Sequence, residues 1–501
     1  MNTTIQLNQK NLHNLPDSFV VPTYDRSKLK SGIVHIGVGG FHRSHEACYN
    51  DDFLALSEST EWGICGMGLR EADRKIGDIL KQQDYLYTLI VKHPDGHQEN
   101  RVIGSLVDFV LASDDPSAAT DRLADVQTKI VSLTITEGGY HFNSATNAFD
   151  FDHSDVQHDL ANPQSPKMIF GFLAEALRKR RAKGLPAFTI QSCDNIQHNG
   201  DITRKMLLAF AEKQDPELAQ WIAEEVRFPN AMVDRITPMT TLQDIALLKE
   251  EGVQDLWPVT CEPFTQWIIE DHFSNGRPAW ESVGAQFVQD VTPYELMKIR
   301  LLNAGHSVLG LLGSIHGHAT IDGCIADPLF ASYVRRFMDV EATPILAPVD
   351  GINLDEYKSA LIERFGNPNI KDNLARICLE SSSKLPKFII PTMMENLEKG
   401  GSTKLAALVI AAWCYYSDKG VDKDGVALDI MDDIKLELHD YASKTEQDSL
   451  AFLKLESVFG ELIQHKTFTD EYVGMVKTLY TNLDIAAQMH TLLSEDQLLT
   501  A

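Results

Sequence analysis

Short, strand-like apolar runs, several of them apolar throughout rather than alternating, recur along the first half of the chain, at residues 32–36, 62–69, 129–136, 187–193 and 264–269, with helix-like segments between them. Runs of this length that do not alternate with polar positions suit strands covered on both faces, as in a parallel sheet. One intervening helix is punctuated at both ends: Ser165 and Pro166 can cap and start it, and Gly184-Leu185-Pro186 stops it before the next strand. This rhythm predicts an α/β fold with a doubly wound sheet. After Val291 the strand signal fades, and helical patterns cover 294–312, 354–365, 405–416, 430–441 and 471–489. The expected organisation is a sheet domain with an N-terminal extension over residues 1–288, then a mostly α-helical domain over residues 289–501.

Composition narrows the function classes. A chain of 501 residues is too long for one ordinary core, since single cores stop growing at roughly 250 to 300 residues. Two domains also invite a cleft between them. With 44% hydrophobic and 23% charged residues the chain is expected to be folded throughout. A formal net charge of −26 argues against nucleic acid or an anionic membrane as partner, because both need basic surfaces. The longest apolar run, 405–416, falls short of the roughly 20 residues needed to span a bilayer and reads as a buried helix. Residues 1–14 are polar and unlike a secretory signal, and seven scattered cysteines show no C-x-x-C pairing. The expectation is a cytoplasmic protein with reduced thiols.

The first apolar run ends in Ile36-Gly37-Val38-Gly39-Gly40-Phe41-His42-Arg43. Phosphate can approach backbone N–H groups only where side chains are absent, and glycines directly after a strand provide that. Ile36, Gly37, Val38, Gly39, Gly40, Phe41 and Arg43 are therefore candidates for binding a dinucleotide in a Rossmann-type domain. The third glycine of the usual G-x-G-x-x-G pattern is replaced by His42, so the alternative is a tight structural turn. The second apolar run ends in Arg70-Glu71, where a carboxylate can bind the adenosine ribose hydroxyls and repel a 2′-phosphate. That favours NAD, with NADP a weaker second, although Glu71 could equally be a helix-start residue.

Downstream, Lys298, Asn303 and His306 share one predicted helix. At about 100° per residue, the last two lie about 140° and about 80° from the first, within one broad sector. Alcohol oxidation without a metal needs a base and donors that stabilise a developing alkoxide, and these side chains supply both. On spacing alone, a solvated helix face accounts for them equally well. A polar cluster, Asp194-Asn195-Ile196-Gln197-His198-Asn199-Gly200, follows the fourth apolar run, where α/β sheets bind ligands or where a helix is simply capped. Asp234-Arg235 is ambiguous in the same way. His42 and His45 form an i, i+3 pair without a convincing further ligand, so no metal site is expected. G-x-S-x-G and P-loop motifs are absent.

Four segments carry a family resemblance: residues 32–45, Thr134-Ile-Thr-Glu-Gly-Gly-Tyr140, Ser192-Cys-Asp-Asn195 and Lys298-x4-Asn-x2-His306. Across most of its length the chain resembles the polyol-specific long-chain dehydrogenases and reductases, whose phosphate loop also lacks the third glycine. The resemblance implies Lys298 as general base and Asn195 with Asn303 as an oxyanion hole. It also implies His306 and Asp234 as substrate-orienting groups, Glu295 as a gate for proton exit, and Lys384 as a weaker candidate for a substrate contact. A single acidic pair, Glu71 and Asp73 separated by Ala72, departs from members with adjacent carboxylates and leaves residual NADP use open. The implied reaction interconverts a polyol such as D-mannitol and a ketose such as D-fructose in a monomer. Alternatives are a hexuronate reductase, with Arg235, Lys384 or Lys387 meeting the substrate carboxylate, and a non-catalytic dinucleotide sensor.

Overall fold

The computed structural model describes residues 4–143 and 148–499, and the chain divides into two compact units, Met1–Thr292 and Pro293–Ala501. In the first, β1 (Ile33–Ile36) leads into two short helices, α1 (Gly40–Ser44) and α2 (Glu46–Leu56). β2 (Ile64–Gly68), β3 (Leu106–Leu111), β4 (Ile130–Leu133) and β5 (Thr189–Ser192) complete a sheet of order β5-β4-β1-β2-β3, parallel throughout. The chain winds outward from β1 to β3 and then returns to β4 on the other side of β1. The strand order therefore reverses between β1 and β4, the position where open α/β sheets bind their ligands.

Four of the apolar runs become β1, β2, β4 and β5, each shorter than the run that contains it. The fifth forms a strand elsewhere. It lies in a separate mixed sheet, where β6 (Ala231–Asp234) pairs antiparallel with β7 (Gln266–Glu270), which pairs parallel with β8 (Gln286–Val288). A further sheet holds the antiparallel hairpin Tyr87–Lys92 and Gln98–Ile103, which the run pattern did not single out. The faces of the five-stranded sheet are both covered. Val131, Leu133 and Ile190 pack with Phe170, Phe172 and Leu177 of α3 (Ile169–Ala182) in one core, and Ile33, Ile64 and Ile130 join Tyr87, Trp267 and Trp280 in another.

Helix α3 begins later than its expected Ser165-Pro166 start. The buried Asp159 carboxylate accepts the backbone N–H groups of Lys167 (2.9 Å) and Met168 (2.9 Å), which substitutes for a side-chain cap within the helix itself. At the other end Gly184 adopts φ +65°, a left-handed stop that glycine makes without strain.

The second unit is helical. Residues 292–316 form one rod made of α4 (Thr292–Lys298), a π-helical turn (Ile299–Asn303) and α5 (Ala304–His316). It is followed by α6 (Pro328–Phe337), α7 (Leu354–Phe365), α8 (Lys404–Lys419) and α9 (Lys466–Thr481). The apolar run at 405–416 lies within α8, buried from Leu405 to Cys414 and packed against α5 and α9. The pattern at 430–441 contracts to Lys435–Ala442, because the Asp432 carboxylate binds the N–H and hydroxyl of Ser382 and holds the preceding residues out of the helix. The pattern at 471–489 is two helices, separated where Asn482 takes an extended conformation. Among the described residues no helix is long and apolar enough to cross a membrane.

Because Asp159 satisfies the N–H groups of Lys167 and of the buried Met168 ahead of the helix, its replacement leaves both without that acceptor. Asp159→Ala is expected to destabilise the first unit by about 2 kcal/mol or more, and chemical denaturation followed by fluorescence measures this.

Candidate active site

At the end of β1, Gly37 has φ +96°, and a Cβ there would stand 2.1 Å from the carbonyl oxygen of Thr134. The neighbouring strand alone forbids any side chain at this position. Gly39 is different: an added Cβ would meet only the Gly37 oxygen, at 3.8 Å, and its backbone angles are ordinary. Nothing in the fold requires glycine at 39. What the missing side chain leaves is an open backbone after the strand, the access that a phosphate needs. Gly40 would make ordinary contacts with Thr237 and Val259. Ile36 and Val38 are buried, and Phe41 stacks on His45 at 4.9 Å.

Arg43 braces this loop from beneath. Its Nε donates to the Gly39 carbonyl (3.3 Å), its Nη1 to the Trp257 carbonyl (2.5 Å), and the buried guanidinium lies over the Tyr87 ring. His42, standing where a third glycine is usual, is also buried. Its ring stacks on His35 with centroids 3.4 Å apart, and both imidazoles reach the Glu46 carboxylate, at 3.0 Å from His35 and 3.3 Å from His42. Ser132 donates to the same carboxylate at 2.8 Å, so β1, α1, α2 and β4 are joined by one buried polar network. Burial and the neighbouring His35 push the His42 pKa down to about 3. Burial opposes the Glu46 charge, yet the bonds from His35 and His42 outweigh it and hold the carboxyl below its ordinary range.

The ends of β1, β4 and β5 are tied by two side chains. Thr134 Oγ1 donates to the Gly37 carbonyl at 2.7 Å. Asp194, just past β5, accepts the N–H groups of Ile135 (2.9 Å) and Thr136 (2.8 Å) and the Tyr140 hydroxyl (2.7 Å). Thr136 has φ 60° and ψ 167°, a conformation rare for a β-branched residue that costs about 1–3 kcal/mol. The Asp194 carboxylate holds it there. Asn195 follows as an exposed residue. The Asn199 side-chain amide then links the Asp194 carbonyl (3.0 Å) to both backbone groups of Ala231 in β6, which ends in the buried Asp234. The polar cluster 194–200 was visible in the sequence, but the bracing roles of Asp194 and Asn199 were not. The available signal was an Asp placed directly after an apolar strand.

Glu71 lies three residues beyond β2 and opens a single 3-10 turn. Its exposed carboxylate pairs with Arg74 (Nη2 to Oε2, 2.8 Å), which also binds Asp114. Both sequence readings of Glu71 therefore describe one position, a turn-starting carboxylate at a strand end.

In the second unit Glu295 and Lys298 are buried on α4, while Asn303 and His306 are half-buried. The π turn between them corrects the regular 100° arithmetic: one extra residue per turn re-phases α5 relative to α4. Arg300, inside that turn, donates to the Ile345 carbonyl (3.1 Å) and to Glu395 (2.6 Å). Gly305 lets the rod meet a second π segment, since a Cβ there would lie 2.9 Å from Met338 Cε. The His306 ring packs on Phe365 at 4.5 Å. Asn303 Oδ1 is buried without a hydrogen-bond partner among the described residues, the condition of a polar atom that a ligand can satisfy. Lys384 is half-buried and donates to the Ile377 carbonyl at 3.0 Å, and burial lowers its pKa.

A parallel sheet with an open glycine loop at its switch point, followed by a helical unit, defines a dinucleotide-dependent oxidoreductase fold. Residues 31–282 match the mannitol dehydrogenase Rossmann domain, and residues 290–480 match the mannitol dehydrogenase C-terminal domain. The chain belongs to the mannitol dehydrogenase family. It is 46% identical to a mannitol 2-dehydrogenase of Neosartorya fischeri, over 96% of this chain and 99% of that one. Against a mannitol 2-dehydrogenase of Phaeosphaeria nodorum it is 44% identical, over 95% of this chain and 84% of the relative. Among solved structures, the Pseudomonas fluorescens mannitol 2-dehydrogenase ternary complex with NAD and D-mannitol matches with a TM-score of 0.90 and 47% identity, covering 98% of this chain and 100% of that one. A substrate-free D-sorbitol dehydrogenase matches with a TM-score of 0.87 and 36% identity, covering 96% and 100%.

The buried network beneath the loop makes the first unit acid-sensitive. His42, with a pKa of about 3 instead of 6.5, and His45, at about 4, bind fewer protons folded than unfolded, and Glu46 does the same. Above about pH 6.5 the histidines are neutral in both states; as the pH falls below that the unfolded chain takes up protons that the buried rings refuse and stability drops, while Glu46 adds its own loss only below its ordinary value of 4.5. Calorimetry should show the first unit melting at progressively lower temperature from pH 7 to pH 5, and His42→Gln should flatten that slope.

Proposed function

We propose that this chain is an NAD-dependent, metal-independent polyol dehydrogenase that interconverts D-mannitol and D-fructose, with Lys298 as general base. The observation that carries this reading is the likeness to the ternary complex with NAD and D-mannitol, at 47% identity over 98% of the chain. Residues 36–41 with Glu71 would hold NAD, which supplies the hydride acceptor when bound. Their fit rests on the open backbone at Gly39 and the strand-end carboxylate.

Lys298 takes the proton from the reacting hydroxyl. Burial is what such a base needs, because desolvation favours the neutral amine. Asn195 and Asn303 donate their amides to the oxygen as it gains negative charge, and Asp234 and His306 fix the remaining hydroxyls. Glu295, one turn before Lys298, returns the proton to solvent. Arg235 donates to the Ser44 carbonyl (2.6 Å) and the Glu262 carbonyl (3.1 Å), and Lys384 donates to a carbonyl as well. That engagement of two candidate cations supports an uncharged polyol over a hexuronate. The same reading has the enzyme act as a cytoplasmic monomer.

NADH absorbance followed with fructose, fructuronate, tagaturonate and xylulose tests the assignment: fructose should be reduced fastest, and NADH binding without any turnover would sink it. Lys298→Ala should lower kcat by a factor of about 10² to 10⁴. Asn303→Ala should lower it by about 10² to 10³, as for loss of an oxyanion donor, and a change confined to KM would reassign Asn303 to substrate binding. Glu71→Ala should raise the kcat/KM ratio of NADP to NAD; an unchanged ratio removes Glu71 from cofactor selection.

A further inference from the structure

The rod that carries His306 ends ten residues later, about 15 Å along its axis, in His316-Gly317-His318. Gly317 is left-handed at φ +93°, and the His318 N–H turns back to the Gly313 carbonyl at 2.9 Å. This helix stop brings two alternate residues to one side. The rings of His316 and His318 lie 5.2 Å apart, and each packs on Phe330, at 5.2 and 5.0 Å. Asp327, which starts α6, completes the group: one ligand atom from each of the three side chains lies within 4.8 Å of the others.

We propose that His316, His318 and Asp327 bind one divalent first-row transition ion of the zinc, cobalt or nickel type. Two imidazoles and one carboxylate suit these borderline ions and not the all-oxygen preference of calcium or magnesium. Two features favour a ligand at this place. His318 Nε2 is buried and has no hydrogen-bond partner among the described residues. Asp327 is oriented by the Leu329 N–H at 2.9 Å, the outer bond that steadies a ligating carboxylate. Beside His316 opens a cavity of about 300 Å³, reaching Lys423, Asp424 and Asp484, which gives water access to that side of the histidine. The site also sits at a helix C-terminus, whose dipole favours positive charge.

Lys423 is a built-in competitor. Its Nζ stands 3.1 Å from His316 Nε2, so the ammonium engages one of the two nitrogens through which His316 could ligate the ion. Asp327, Asp424 and Asp484 all face His316 and offset the charge of an arriving ion. Binding therefore exchanges one cation for another. The reaction proposed above does not use the ion, and the site stands independently of that reading.

The test is calorimetric titration of Zn²⁺ into tag-free, EDTA-treated full-length protein, with Co²⁺ visible absorption as a second probe. One ion per chain is expected, with affinity weakened about tenfold or more in His318→Gln and in Asp327→Asn. Lys423→Met should bind more tightly than the unaltered protein, a gain that misfolding cannot produce. Metal-free turnover should be the same in all four proteins. Absence of saturable one-to-one binding, retention of it in a His316→Gln/His318→Gln double variant, or no tightening in Lys423→Met would each overturn the proposal.

Discussion

Gly37 has no room for a side chain, and the candidate cofactor site depends on that constraint. The Thr134 carbonyl presses against its Cα, the Thr134 hydroxyl donates to its carbonyl, and the next two residues hang by their N–H groups from Asp194. Three strand ends, those of β1, β4 and β5, are thereby held at fixed separation. The strained backbone of Thr136 persists because Asp194 satisfies its N–H group. A loop that must receive a phosphate without rearranging is well served by such bracing, since preorganised donors lose little entropy when the ligand arrives.

Much of this was legible in the sequence because it depends on local chemistry. Apolar runs that do not alternate, a glycine-rich turn after the first of them, and a later change to helical spacing point to the sheet and to the helical unit that follows, and β1, β2, β4 and β5 lie inside their predicted runs. What periodicity could not reveal lies in contacts distant along the chain. The start of α3 is set by Asp159, several residues before the helix, not by Ser165. The run at 264–269 is a true strand, but nothing local says that it pairs with residues 231–234 in a different sheet.

His42 shows the same limit from the other side. Counted against a three-glycine pattern it looks like a defect. In the fold it stacks on His35, reaches Glu46 and helps fill the space under α1, so the residue that breaks the pattern is part of the loop's support. Arg43 was read as a cofactor-binding candidate and is placed beneath the loop, with donors on the Gly39 and Trp257 carbonyls. Burial and carbonyl partners give this cation a part in supporting the loop, alongside its candidacy for binding the cofactor.

The helix of the candidate catalytic residues makes a comparable point about geometry. A regular helix would fix the angles between Lys298, Asn303 and His306, but the π turn at 299–303 inserts itself exactly where those angles are set, and it is supported by Arg300 bonded to Ile345 and Glu395. A π turn is less favourable than the α-helix it replaces, so its persistence requires such outside support. Its effect is to point Asn303 and His306 independently of Lys298 while keeping all three on one continuous rod. Asn303 Oδ1, at the end of that turn, is buried and has no hydrogen-bond partner among the described residues, so it is an acceptor that a ligand hydroxyl could satisfy. Helical spacing alone left a site and a solvated face equally open for these three residues, and the π turn departs from the spacing on which that count rested.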